Sequence, residues 1–232
     1  MIVANAIDSE SIEKAARDLQ MQLWDRQCFF WPGQKVIPLN ACDPWVAAQH
    51  LGFEVQEGWL DSEGSRAGRY QLGGFLNRQA KLIGISDQQK PRTQRFTLAH
   101  ELGHVLIHPG IHHHRELPLA GITEPHEAVE PKERQANYFA GCFLVPTKQL
   151  RLAFRASFGV EHLTPTDEVA YELLGAGFKS LMNSPYESLH FERVVAQAVR
   201  FRGRHFSALN DLFRVSATTL AIRLRQARLT GR

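Results

Sequence analysis

Residues 95–108, RFTLAHELGHVLIH, contain two histidines with a glutamate directly after the first. His100 and His104 are four positions apart, so on a helix their side chains lie one above the other on the same face. Two imidazoles with this spacing can bind one zinc ion. Glu101 lies about a third of a turn around the helix from His100, where it can reach a metal-bound water as a general base without binding the metal. The spacing therefore predicts a metal-dependent hydrolytic centre on a helix.

The helix that would carry this motif is apolar around much of its circumference, through Phe96, Leu98, Ala99, Leu102, Val105, Leu106 and Ile107. An alternative interpretation is a buried helix whose two histidines and glutamate make ordinary hydrogen bonds in the core. Burial of these polar groups is costly unless each has a partner, and a metal ion would satisfy them together. The apolar setting therefore favours the metal site. Gly103, between the histidines, would also let another backbone approach closely.

A catalytic zinc ion keeps three protein ligands and one open position, so a third ligand is needed. The candidates are His108, His112, His113, His114, Glu116, His126, Glu127, Glu130 and Glu133. A straight helix would separate His108 from His100 by about 12 Å along its axis, too far for one ion to join them. Glu133 is favoured because it lies in the first turn of a second amphipathic helix, and a rigid helix positions a ligand better than a loop does.

Other residues could assist this centre without binding the metal. Asn137, one helical turn after Glu133, could orient a ligand or the substrate, or could make a simple hydrogen bond on the helix face. Tyr138, His126 and the loop histidines are candidates for stabilising an oxyanion, and the sequence does not choose among them. The small residues Ala136 and Ala140 would allow the two helices to approach closely.

The segments before the motif predict a mixture of helices and strands. Helical spacing over 9–24, with Ser9 or Ser11 as the N-cap, is followed by a short helix that starts at Asp43 and by a strand at 53–55. The runs RYQLGGFL and AKLIGIS flank the turn NRQ and predict a β-hairpin, and 61–68 is predicted to be a loop. An edge strand within 69–76 could pair with an extended substrate backbone.

The segments after the motif predict a long connection and then helices. Residues 109–131 contain four prolines and little periodicity, which indicates a lid over the site or a disordered segment. Within this segment, the histidines at 112–114 are expected to be solvated. Beyond it, helical patterns cover 131–145, 147–157, 166–182, 187–201, 206–213 and 217–228. The expected domains are a metallopeptidase domain at 1–158 and a helical C-terminal region at 159–232.

The C-terminal region is rich in arginine, and 206–228 could form a helix-turn-helix-like pair whose second helix is capped by Ser216. In this prediction Ala217, Leu220, Ala221, Leu224 and Ala227 form the packed face, and Arg223, Arg225 and Arg228 project outward. DNA binding is one interpretation. A structural helical pair with a solvated basic face is favoured over it. A surface that docks a repressor is a third alternative.

The composition sets limits on the class of protein. The net charge of +3 is too small to indicate a nucleic-acid protein, and no apolar run reaches the length of a membrane span. The N-terminus lacks a basic segment before an apolar stretch and so does not predict a signal peptide. Cys28, Cys42 and Cys142 have no CxxC spacing and are interpreted as free thiols in a reducing cytosol.

The sequence resembles the ImmA/IrrE family of metallo-endopeptidases. The resemblance is carried by RFTLAHELGHVLIH at 95–108 and ERQANYFAGCFLVP at 133–146, and it extends over roughly 40–228. It implies a gluzincin-like site with His100, His104 and Glu133 as zinc ligands and Glu101 as general base. It also implies an α+β, zincin-like fold in which a small antiparallel sheet packs on the HExxH helix and the C-terminal region is mostly helical.

In well-studied members of that family the substrate is a helix-turn-helix transcriptional repressor, and one cut derepresses genes for stress response or mobile-element transfer. The expectation is therefore a cytoplasmic zinc endopeptidase acting on such a repressor, with Mn²⁺ or Fe²⁺ as alternative ions. Direct DNA binding is not favoured, and no membrane association is expected. The rival functions are a regulatory module with a structural or sensory zinc site, which the presence of Glu101 disfavours, and a metal hydrolase acting on a small amide.

Overall fold

The computed structural model describes residues 8–58, 70–108, 113–118 and 130–231 of the 232-residue chain. These residues form two compact units, Met1–Leu144 and Val145–Arg232. The division falls between 144 and 145, whereas the sequence analysis placed the domain boundary at 158. Residues 147–158 group with the second unit because Phe158 packs edge-on against Phe201 and Phe206, with ring centroids 5.5 and 5.1 Å apart.

The first unit begins with helix α1 (Ser9–Asp25), as predicted. Its N-cap is Asp8, whose carboxylate accepts a hydrogen bond of 2.7 Å from the Ser11 backbone N–H. The expected caps Ser9 and Ser11 are therefore wrong, because the acceptor stands one residue before the predicted start. Two further short helices follow, α2 (Gln27–Phe30) and, after a 3₁₀ turn at Pro38–Cys42, α3 (Pro44–His50). The predicted start at Asp43 is confirmed, since its side chain caps the α3 N–H groups of Trp45 and Val46.

A four-stranded sheet contains β1 (Glu54–Gly58), β2 (Tyr70–Asn77), β3 (Leu82–Ser86) and β4 (His113–Pro118) in the order β1-β3-β2-β4. The predicted hairpin is confirmed, because β2 and β3 pair antiparallel from Gly74 opposite Ile85 to Asn77 opposite Leu82. β1 pairs parallel with β3, so the sheet is mixed, and the expectation of a purely antiparallel sheet is wrong. The predicted loop at 61–68 lies outside the described residues.

β4 changes two further expectations. It is formed by residues of the segment 109–131 that was predicted to be structureless, and it pairs antiparallel with β2. β2 therefore lies between β3 and β4, and the prediction that an edge strand lies within 69–76 is wrong. Among the described residues, β1 and β4 are the edges of the sheet.

Two long helices complete the first unit, α4 (Pro91–Ile107) and α5 (Pro131–Leu144), both close to their predicted bounds. Every residue of α4 from Thr97 to His104 is buried, so the helix runs through the core as expected. α1 packs on α5, and the Gln20 amide donates hydrogen bonds to the carbonyls of Cys142 and Phe143 at the end of α5. The carbonyls in the last turn of α5 thereby gain partners that the helix itself does not provide.

The second unit is mainly helical and contains a two-stranded hairpin. Its elements are α6 (Thr147–Phe158), α7 (Asp167–Leu174), α8 (Phe178–Met182), α9 (His190–Gln197), β5 (Arg200–Phe201), β6 (Arg204–His205), α10 (Leu209–Leu212) and α11 (Ala217–Gln226). The helix expected at 166–182 is divided at Gly175, which has φ +59°. None of the helices in the ranges described above is long and apolar enough to cross a membrane.

The C-terminal helix α11 is capped by Ser216 as predicted, and the helix before it has only four residues. Arg223 was expected to project outward, but it is 2% exposed. Its guanidinium donates to the Val145 carbonyl, the Thr147 hydroxyl and the Gln226 side chain. Arg225 forms an ion pair of 2.9 Å with buried Glu192. The expectation of three outward arginines is therefore wrong, because two of them bind groups within their own unit.

Candidate metal centre

Helices α4 and α5 bring His100, His104 and Glu133 together. The two Nε2 atoms of the histidines are 3.0 Å apart. Glu133 Oε2 lies 3.1 Å from Nε2 of His100, and Oε1 lies 3.1 Å from Nε2 of His104. The ligand atoms of all three residues lie within 4.8 Å of one another, so the group could hold a metal ion. Two imidazole nitrogens and one carboxylate form a donor set that suits zinc.

The surroundings of this group favour the protonation states that a metal needs. Burial lowers the pKa of His104, the charge of His100 acts in the same direction, and the hydrogen bond to Glu133 opposes them in part. Burial alone would raise the pKa of Glu133, but the hydrogen bonds and charges of His100 and His104 outweigh it and hold that pKa well below its usual range. A neutral imidazole beside an ionised carboxylate is the form that binds a metal.

Solvent reaches the centre from the side of the carboxylate. The side chains of His100 and His104 are 1% and 0% exposed, whereas that of Glu133 is 28% exposed. Among the described residues of this group, the Glu133 carboxylate is therefore the one that solvent reaches.

Asn137 contacts the first histidine, in agreement with one of its two predicted roles. Its Oδ1 lies 3.0 Å from His100 Nδ1, where the ring N–H can donate to it. A neutral imidazole protonated at Nδ1 has its lone pair on Nε2, the atom that faces Glu133. Asn137 is therefore placed to orient a candidate ligand.

Of the other residues predicted to assist the centre, the structure describes some but not all. Tyr138 follows Asn137 on α5 and is half-buried. His126 and His112 lie outside the described residues. His113 and His114 lie in β4, opposite Leu76 and Phe75 of β2, rather than in a loop.

Glu101 is fully buried on α4, on the side of the helix that faces the sheet. Its Oε1 lies so close to β2 that a β-carbon added at Gly74 would stand 3.3 Å from it. The same added atom would be 2.6 Å from the Thr97 side chain. Gly74 therefore leaves the space that the Glu101 carboxylate occupies beside the strand, which motif spacing alone could not reveal.

The sequence analysis did not predict a supporting role for His108, Gln135 or Arg78, which lie near this centre. It considered His108 only as a ligand, yet His108 Nδ1 lies 2.9 Å from His104 Nδ1, and its Nε2 lies 2.8 Å from Gln135 Oε1. Arg78, in the turn between β2 and β3, donates to the carbonyls of His104, Val105 and His108 at the end of α4. The four-residue spacing of His104 and His108 was the available signal for the first contact.

A mixed α+β unit with an HExxH helix and a carboxylate on a second helix defines a metallopeptidase-like protein. The sequence model described as the IrrE N-terminal-like domain, Peptidase_M78, matches residues 48–180, which is more than half of the chain. The protein belongs to this family, and the resemblance found in the sequence is confirmed.

Comparisons with solved structures and with curated proteins give less information about this chain. A solved structure described as a Mycobacterium tuberculosis transcriptional regulator is similar to this chain at 14% identity and a TM-score of 0.36. The similarity covers 96% of this chain and 55% of that one, so this chain spans about half the length of that regulator. A search of curated proteins found no match.

Proposed function

We propose that this protein is a zinc-dependent endopeptidase that hydrolyses a peptide bond in a specific protein, a helix-turn-helix transcriptional repressor, and thereby derepresses genes. The observation that carries the proposal is the His100–His104–Glu133 group, held by two packed helices in a chain of a peptidase family. Glu101, directly after the first of these residues, supplies the acid–base group that a purely structural metal site would not need.

In the proposed reaction the chain holds the metal and moves protons. Zinc bound by His100, His104 and Glu133 would act as a Lewis acid on the scissile carbonyl and make water more acidic. Glu101 takes the proton of the water that attacks this carbonyl and passes it to the leaving amine. The same donors also accept Mn²⁺ or Fe²⁺, so the working ion is part of the test.

Two residues of α5 are proposed to assist this reaction. Asn137 orients His100 through the contact between its Oδ1 and the ring Nδ1. Tyr138 is proposed, with His126, as a candidate that donates a hydrogen bond to the oxyanion. A phenol or an imidazole can provide this donor, whereas the buried carboxylate of Glu101 cannot do so while it acts as the base.

A protein substrate is supported by strand β4. Among the described residues β4 is an edge strand with β2 as its strand neighbour, and an extended peptide backbone is proposed to pair with its other side. A repressor as the substrate is proposed from the family resemblance. Direct DNA binding is not proposed, because Arg223 and Arg225 bind groups within their own unit. A cytoplasmic location is supported by the free thiols of Cys28 and Cys42.

The test combines the protein with the helix-turn-helix repressor encoded nearest to its gene, with and without a chelator. The Glu101→Gln variant should keep its zinc and lose cleavage by about 10²-fold or more, as expected for removal of a general base. The matched control is Glu130→Gln, at an exposed position just before α5, which should cleave as the unchanged protein does. Cleavage by Glu101→Gln at the full rate, or in the presence of chelator, would refute the proposal. Zinc binding without cleavage would favour the regulatory alternative.

A further inference from the structure

A chain of hydrogen bonds leads away from the metal-facing side of His104. Its Nδ1 lies 2.9 Å from Nδ1 of His108, and Nε2 of His108 lies 2.8 Å from Oε1 of Gln135. His108 is 5% exposed, so the two imidazoles meet away from solvent. The opposite nitrogen of His104, Nε2, is the one that faces Glu133.

This chain determines where each ring proton lies. The amide oxygen of Gln135 can only accept, so the proton of neutral His108 lies on Nε2. Nδ1 of His108 is then an acceptor, which fits a His104 whose proton lies on Nδ1. In this tautomer Nε2 of His104 has the lone pair that a metal ion needs; without a metal, the same Nε2 lies 3.1 Å from Glu133 Oε1, to which a ring N–H can donate.

The backbone around His108 supports this arrangement. His108 ends α4 with φ −126° and ψ 67°, outside the helical region. Arg78 donates to the carbonyls of His104, Val105 and His108 at the end of α4, and the His104 carbonyl also accepts from the His108 backbone N–H. The hairpin turn thus holds the last turn of α4 and the ring of His108 in place.

We propose that His108, held by Gln135, is a positioning residue that favours the imidazole tautomer in which His104 binds a metal through Nε2. The proposal rests on the metal centre of the proposed function and deepens it. Asn137 provides the equivalent contact for His100. Helix α5 therefore supplies one candidate ligand, Glu133, and the outer partners that prepare the other two. Loss of such an outer contact typically weakens metal affinity 10–100-fold.

The first test measures zinc affinity of the full chain by competition with a chelator. His108→Leu should bind zinc about 10–100-fold more weakly, because the Nδ1 proton of His104 loses its acceptor. His108→Asn should recover most of that loss, since its side-chain oxygen can take the place of Nδ1. The control His205→Leu removes an exposed imidazole from β6 and should leave the affinity unchanged. Equal affinity of His108→Leu and the unchanged protein would overturn the proposal.

The second test asks which atoms donate between Gln135 and His108. It substitutes Gln135, which is half-buried and should tolerate substitution better than the buried His108. Gln135→Glu keeps an acceptor for His108 and should retain zinc affinity, whereas Gln135→Leu should lower it. An equal loss in both variants would show that the Gln135 amide donates, and would overturn the proposed order. Nitrogen-15 NMR of the zinc-loaded protein should find His104 protonated at Nδ1 and bound through Nε2, and the reverse arrangement would equally refute it.

These outcomes separate the two proposals. A protein without substitutions that binds no metal would refute the metal centre and, with it, both proposals. A protein that binds zinc with equal affinity in all four variants would refute only the positioning role. Thermal unfolding of each metal-free variant shows whether it folds. If a His108 variant fails to fold, the comparison of Gln135→Glu with Gln135→Leu decides whether His108 has the positioning role.

Discussion

Gly103 of α4 lies so close to α5 that a β-carbon added there would stand 3.2 Å from Ala136 Cα. It would also meet the carbonyl oxygen of Ala136 at 3.3 Å and the ring of Phe139 at 3.1 Å. Backbone atoms cannot move aside as the end of a flexible side chain can. The absence of a side chain at 103 therefore allows α5 to approach α4 and Glu133 to reach both histidines.

Substitution of this glycine should disturb both the fold and the site. Gly103→Val should lower the free energy of unfolding by about 1–3 kcal/mol, because the added atoms overpack a close helix contact. It should also weaken zinc binding, since α5 carries Glu133. Chemical denaturation and chelator competition measure the two effects. Thr93→Val, at an exposed position of α4, is the control and should change stability by less than about 0.5 kcal/mol. A fully stable Gly103→Val variant would contradict this contact.

The stability of the metal-free protein should decrease as the pH falls. The pKa of His104 is lowered from 6.5 by burial, and that of Glu133 is lowered from 4.5 by its two histidine partners against the effect of burial. Both groups therefore bind protons more tightly in the unfolded chain, and stability rises with pH wherever the unfolded state holds more protons. The loss should begin as the pH falls through 6.5 and continue below 4.5.

Denaturant unfolding in the presence of a chelator, at a series of pH values, measures this dependence. His104→Gln is the control, because it removes the titrating imidazole and should flatten the curve just below pH 6.5. A metal-free protein whose stability increases towards low pH in this range would contradict the direction of both shifts. Zinc affinity should fall over the same range, since protons and metal compete for the same nitrogens.

The three cysteines should differ sharply in reactivity towards a thiol reagent. Cys28 is exposed, whereas Cys42 and Cys142 are 2% and 3% exposed. Burial raises the pKa of Cys42 to about 12, which leaves almost no thiolate at neutral pH. One thiol should therefore react rapidly in the native protein, and all three should react after denaturation. Cys28→Ser should abolish the rapid phase. A second rapidly reacting thiol in that variant would contradict the burial.

Arg223 should contribute to stability rather than to nucleic-acid binding. Its guanidinium donates to the Val145 carbonyl at 3.3 Å and to the Thr147 hydroxyl at 3.0 Å. Arg223→Ala should cost about 2–4 kcal/mol of unfolding free energy, because it leaves a cavity and buried acceptors without a donor. The control Arg200→Ala removes an exposed arginine and should cost less than about 0.5 kcal/mol. Equal stability of the two variants would show that Arg223 is not buried.

Local pattern was sufficient for α4 and α5 and for the group of residues on them, whereas the helix predicted over 187–201 is observed only at His190–Gln197 and is followed by strand β5. The four-residue spacing of His100 and His104 places them on one face of any helix, because the helical repeat fixes that relation. The apolar run around them predicted a buried helix, and α4 is buried. Glu133 was preferred for its position at the start of a second amphipathic helix, and the structure brings it to both histidines.

Relations between distant segments could not be read in the same way. A strand pattern shows alternation but not the identity of the neighbouring strand, so the parallel pairing of β1 with β3 and the place of β4 beside β2 were missed. The outward direction expected for Arg223 was wrong for a similar reason. A charged residue on a helix is buried when groups from elsewhere in the chain provide partners, and those groups are not visible in the helix itself.

The sequence by itself determined which side chains can do chemistry and which helices carry them, because backbone geometry within a helix depends only on neighbours in the chain. Only the tertiary structure decided which atoms of those side chains face the candidate metal position. Nδ1 of His104 faces His108, and His108 contacts Gln135, which lies 31 positions away from His104 on another helix. That relation exists because α4 and α5 pack closely at Gly103, and packing between helices is a property of the whole unit.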